Sequence, residues 1–112
     1  MFGIRPVLLE VTVETLFELL EKGGKITILD VRTEGEVARG KIRNSLNVPL
    51  DRIHNIENII PDKSTQMYVY CLSGSRSTLA VNTLIKEGYK NVFDVKGGLL
   101  TWRAKKYPIV TK

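Results

Sequence analysis

Gln66-Met67-Tyr68-Val69-Tyr70-Cys71-Leu72-Ser73-Gly74-Ser75-Arg76-Ser77 passes from an apolar, aromatic run into a tract of serine and glycine. Gln66 to Tyr70 reads as a buried strand. Ala80, Val81, Leu84 and Ile85 then recur at helical spacing, and Gly88 ends the helix. A strand, a short loop and a helix in that order form one step of a parallel crossover. The same step recurs outward in both directions. Upstream, Ile26 to Val31 is almost wholly apolar and ends in Asp30 and Arg32, the pattern of a parallel strand with polar residues at its carboxyl end. Downstream, Val92 to Val95 is a last strand, Gly97-Gly98 a turn, and Leu99 to Lys105 a closing helix before Pro108.

The remaining segments fit between these. Val7 to Val11 is a short strand, and Thr12 caps a helix that places Val13, Leu16, Phe17 and Leu20 on one face before Gly23-Gly24. Thr33 to Arg39 is a short helix stopped by Gly40. Ser45 to Val48 is a brief strand closed by Pro49, and Leu50 to Ile60 is helical, with Ile53, Ile56 and Ile60 in register and Pro61-Asp62 as its stop. Strands alternating with helices predict an α/β fold, a central, mostly parallel sheet with helices on both faces.

With 112 residues the chain reads as one domain, residues 1–112, able to bury a core without disulfides. Its composition, 43% hydrophobic and 26% charged, is that of a soluble protein, and its apolar runs are too short to span a membrane. A single cysteine forms no internal disulfide, which suits a reducing compartment and makes a cytoplasmic location the expectation. One Cys and one His argue against a metal site, and no cofactor is implied. The net charge of +5 is spread along the chain and favours small anionic substrates. No nucleic-acid recognition motif accompanies it.

In an open α/β sheet the ligand site lies beyond the carboxyl ends of the strands, which puts Cys71, Asp30 and Arg32 on one rim. The small residues after Cys71 let backbone amides turn inward, and with the amino end of the next helix they form an anion cradle. Such a place lowers a thiol pKa from about 8.5 toward roughly 3.5 to 7.5. Two readings of Cys71 stand here: an activated nucleophile, or a small buried hydrophobe at a strand end.

Asp30-Val31-Arg32, Glu36, Gly40-Lys41-Ile42, Ser45 to Pro49, the Cys71 to Arg76 loop, Gly97-Gly98, Trp102 and Pro108 occur in an order and spacing that resembles the rhodanese family. The likeness spans about Val7 to Val110. Lys41 and Asn44 stand where that family commonly has His and Gly, and Leu99 replaces a frequent aromatic. The resemblance implies a sulfurtransferase of the thiosulfate type in which Cys71 carries sulfur as a persulfide. It also implies that Leu72, Ser73, Gly74, Ser75, Arg76 and Ser77 bind the substrate, with Asp30 and Arg32 as supporting braces. Arg76 either contacts the substrate's oxygens or braces the loop against a strand-end carboxylate. Glu36 reads as a helix-surface or pairing residue, His54 as a helical bystander and Trp102 as core.

The implied partners are a small anionic sulfur donor and an external acceptor, either cyanide, a small thiol or a protein thiol, because no second cysteine can resolve the persulfide. Two other functions compete. A cysteine phosphatase or arsenate reductase uses a similar cradle, but Cys71 and Arg76 enclose only Leu72-Ser73-Gly74-Ser75, the shorter loop that suits a single sulfur. The second is a rhodanese-like binding or regulatory module that does not catalyse turnover, or one that delivers sulfur to a protein partner.

Overall fold

The computed structural model describes residues 9–112. Strands β1 (Glu10–Val11), β2 (Thr27–Asp30), β3 (Ser45–Asn47), β4 (Met67–Tyr70) and β5 (Val92–Val95) form one sheet in the order β1-β5-β4-β2-β3, every pairing parallel. They alternate with helices α1 (Val13–Glu21), α2 (Glu34–Ala38), α3 (Ser75–Lys86) and α4 (Gly98–Ala104), and with a 3-10 helix over Leu50–Asn58. Of the first expected strand, Val7 and Leu8 lie outside the described residues.

Side chains along a strand alternate between faces, and both faces of this sheet are covered. Leu29, Val31, Met67, Val69 and Cys71 point one way, against Ile53 and Ile56 of the 3-10 helix and Ala80, Val81 and Leu84 of α3. Ile28, Tyr68 and Tyr70 point the other way, against Val13, Leu16 and Leu20 of α1 and Leu99 and Trp102 of α4. Thr12 starts α1 by accepting a hydrogen bond from the Thr15 amide at 3.1 Å. Thr33 starts α2 with a reciprocal box, its hydroxyl accepting from the Glu36 amide at 3.2 Å and Glu36 Oε1 accepting from the Thr33 amide at 3.1 Å. The segment after Pro49 takes the tighter 3-10 winding. Its apolar residues Leu50, Ile53 and Ile56 recur every third position, and three residues per turn stack them on one edge.

From β2 the chain moves outward to β3, then crosses back to β4 on the other side of β2 and continues to β5. The strand order therefore reverses between β2 and β4, and the crevice beyond their carboxyl ends is where an open sheet takes its ligand. The exit of β2 is rigid. Asp30 and Arg32 form a buried ion pair at 2.7 Å, with side chains 0% and 3% exposed. Arg32 Nη2 also donates to the Gly40 carbonyl at 2.7 Å, and Asn47 Nδ2 donates to the carbonyls of both Asp30 and Arg32 at 2.9 Å.

Removing one member of such a pair leaves a buried charge without compensation. Asp30→Ala is expected to cost about 3–5 kcal/mol of stability, read as a lower urea midpoint with an unchanged slope.

Candidate active site

Cys71 follows the last residue of β4, and the loop after it turns back at Gly74, whose φ of +125° admits an L side chain only with strain. That turn brings the start of α3 over the sulfur. Cys71 Sγ accepts from the Gly74 amide at 3.0 Å and the Ser77 amide at 3.3 Å, and the Ser77 hydroxyl lies 3.5 Å away. Burial of the thiol pushes its pKa up. The Ser77 hydroxyl and amide and the amides of Gly74 and Arg76 outweigh that effect, and the net shift is downward. Ser77 is buried beside the sulfur, Leu72 and Arg76 are half-buried, and Ser73 and Ser75 are exposed at the loop tip.

The paired glycines hold the other side of the loop. The Leu99 amide donates to the Cys71 carbonyl at 2.9 Å and the Leu100 amide to the Leu72 carbonyl at 3.0 Å. Those two bonds fix the first residues of the loop against the start of α4, and the donors to the sulfur come from further along, at Gly74 and Ser77. A Cβ at Gly98 would stand 2.5 Å from the Cys71 oxygen and 2.7 Å from the Leu72 oxygen, so the approach requires glycine.

Arg76 reaches Glu36 in a two-pronged pair, Nη1 to Oε1 at 2.6 Å and Nη2 to Oε2 at 3.0 Å. Its carboxylate partner thus lies on α2 rather than at a strand end, because Arg32 already occupies Asp30. Glu36 is a pairing residue, and Arg76 foremost holds its carboxyl down at about 2 against an ordinary 4.5. The pair's contribution to stability is present above the ordinary value and is lost as the pH falls toward 2. Each member of this pair lines a cavity. One, of about 350 Å³, is lined by Arg32, Glu36, Arg39, Leu72, Leu99, Leu100 and Arg103; the other, of about 310 Å³, by Val31, Thr33, Pro49, Leu50, Asp51 and Arg76.

The remaining candidates fall away from the sulfur. His54 is exposed on the 3-10 helix, and Trp102 is core, its Nε1 donating to the Pro108 carbonyl at 2.8 Å. Asn44 adopts φ +66°, which accounts for the glycine common at that position and for asparagine as its substitute. One residue near the site escaped the sequence reading. Asp94 of β5 is buried, its Oδ1 has no hydrogen-bond partner among the described residues, and burial pushes its pKa up while the hydroxyls of Ser77 and Thr78 oppose the rise. No local motif marks it, since an acidic residue within a strand is exposed or buried only according to which helix covers it.

The family model of the rhodanese-like domain matches residues 12–105. The chain belongs to this family. A sulfurtransferase of Allochromatium vinosum is 34% identical to this rhodanese-like chain over 101 residues, covering 90% of it and 94% of the relative. Thiosulfate sulfurtransferase 18 of Arabidopsis thaliana is 37% identical over 107 residues, covering 84% and 77%. The crystal structure of a rhodanese-related protein from Thermoplasma volcanium superposes with a TM-score of 0.82 at 32% identity, covering 93% of this chain and 99% of that one. These relatives support sulfur transfer as the general activity of the rhodanese-like chain.

Two outcomes follow from the loop geometry. The rate of Cys71 alkylation by iodoacetamide should rise with pH at a midpoint below that of a free thiol and return to about 8.5 in denaturant. Gly98→Ala should push α4 off the loop carbonyls, seen as a raised alkylation midpoint together with a lower melting temperature.

Proposed function

We propose that the chain is a thiosulfate sulfurtransferase working through a Cys71 persulfide. The observation that carries this reading is the set of donors from Gly74 and Ser77 converging on Cys71 Sγ at the strand-order reversal. In this scheme the Cys71 thiolate attacks the outer sulfur of thiosulfate. The S–S bond breaks, its electron pair leaves with sulfite, and the transferred sulfur stays on Cys71 among the loop amides. An acceptor thiolate or cyanide then attacks that sulfur, and Cys71 departs as the thiolate its surroundings favour. Leu72 to Ser77 form the substrate cradle, with Arg76 supplying positive charge at its rim. Asp30 and Arg32 support it from β2. The acceptor is external, since Cys71 has no cysteine partner in the chain. We place this chemistry in one unit over 1–112 and in the reducing cytoplasm, where a lone cysteine stays free.

The phosphatase reading asks more of Arg76 than its surroundings allow. A phosphoryl clamp uses both guanidinium prongs on the substrate, and here Glu36 holds both.

Intact-protein mass spectrometry after mixing with thiosulfate should show the gain of one sulfur, reversed by cyanide and abolished in Cys71→Ser. Aryl phosphate turnover matching the sulfur-transfer rate would refute the assignment. Arg76→Ala is expected to lower thiosulfate kcat/KM by about 10-fold, because it leaves the Glu36 carboxylate uncompensated beside the anion cradle. A melting temperature that falls in step with the rate would instead make Arg76 a brace alone.

A further inference from the structure

The larger cavity beside the loop carries charge that the scheme above does not use. Four charged side chains line it, and two of them are neutralised elsewhere: Arg32 by Asp30 and Glu36 by Arg76. Arg39 and Arg103 are left, and among the described residues neither side chain enters an ion pair. They come from different elements, Arg39 as the C-cap of α2 and Arg103 from α4, both exposed at the cavity, and Arg103 Nη2 lies 3.0 Å from where a Cβ would stand on Gly40, the residue after Arg39. The rest of the lining is apolar, from Leu72, Leu99 and Leu100. Leu72 follows Cys71 in the chain and the Leu99 amide donates a hydrogen bond to the Cys71 carbonyl, so this wall borders the start of the loop that carries the nucleophile.

Resting on the persulfide reading above, we infer that this cavity is an acceptor subsite for a small thiol carrying two carboxylates, which Arg39 and Arg103 hold. A volume of about 350 Å³ suits a small molecule rather than a folded partner. Two uncompensated guanidinium groups over an apolar floor match a short carbon chain bearing two anions. The acceptor's thiolate attacks the outer sulfur of Cys71-S-SH, that S–S bond breaks, and the products are the acceptor persulfide and the Cys71 thiolate. Arg39 and Arg103 touch only the carboxylates, so they set which thiol is preferred and leave the bond exchange to the loop.

The test uses the full chain, loaded with sulfur from thiosulfate and followed by mass spectrometry as it loses that sulfur to mercaptosuccinate, 2-mercaptoethanol or cysteamine, each rate taken per thiolate. Mercaptosuccinate should be fastest and cysteamine slowest. In the Arg39→Gln, Arg103→Gln double variant the ratio of mercaptosuccinate to mercaptoethanol rates should fall about tenfold, with Lys at both positions restoring much of it. Equal rates for the three thiols, or an unchanged ratio in the double variant, overturn the proposal. A second arm needs no persulfide: methylthiosuccinate, which cannot accept sulfur, should shift the amide resonances of Leu72 and Leu99 to Arg103 in the native protein and not in the double variant. If thiosulfate fails to load Cys71 while this binding is seen, the persulfide reading falls and the subsite stands. Absence of binding sinks the subsite whatever Cys71 does, and an acidic peptide that displaces methylthiosuccinate at lower concentration assigns the surface to a protein partner and overturns the small-thiol reading.

Discussion

Two backbone hydrogen bonds, from the Leu99 and Leu100 amides to the carbonyls of Cys71 and Leu72, are the constraint on which the site depends. Tying these carbonyls to α4 fixes the path of the chain as it leaves β4, and the loop that follows turns back at Gly74 so that the Gly74 and Ser77 amides reach the sulfur. The contact in turn requires Gly98, because a side chain there would meet both oxygens at less than van der Waals distance. A feature that reads as a simple turn is thus the buttress of the active loop.

Burial works against the chemistry. Cys71 is fully covered in the core between β4, α3 and the 3-10 helix, an environment that by itself favours the neutral thiol. The downward shift exists only because several donors converge on one atom. A thiolate stripped of water and held by fixed dipoles is stabilised without the reorganisation that solvent would require, which is the arrangement nucleophilic catalysis exploits. Around it the charges are sorted by partner: Asp30 with Arg32, Glu36 with Arg76, and Asp94 left near Ser77 with one oxygen unpaired among the described residues.

The architecture was legible because each cue is local. Apolar runs ending in Asp30 and Tyr70 mark the inner strands, Thr12 and Thr33 mark helix starts, and their alternation leaves little choice but a parallel sheet. The loop at Cys71 was legible for the same reason, and so was the position of Asp30 and Arg32 at the same end of the sheet. What could not be read is pairing across the sequence. Arg76 and Glu36 are 40 residues apart, and only the packing of α2 against the loop decides that Glu36, not a strand-end carboxylate, meets the guanidinium. Asp94 is hidden for a related reason, since its burial comes from α3 and not from anything in β5.

The pairing of Arg76 with Glu36 also bears on what the loop can bind. An arginine with both prongs engaged keeps its positive charge, but its net field at the loop is reduced by the carboxylate, which stays ionised down to about pH 2. Recognition of an anion at the sulfur then falls mainly to the backbone amides and the amino end of α3. Amides arranged around a single atom suit one transferred sulfur, whereas a phosphoryl group presents several oxygens and calls for a free, two-pronged guanidinium. With Arg32 and Arg76 each paired, the arginines without an ion-pair partner among the described residues at the neighbouring cavity are Arg39 and Arg103. On the proposed scheme, selection of the acceptor's charge there and bond exchange at Cys71 fall to different residues.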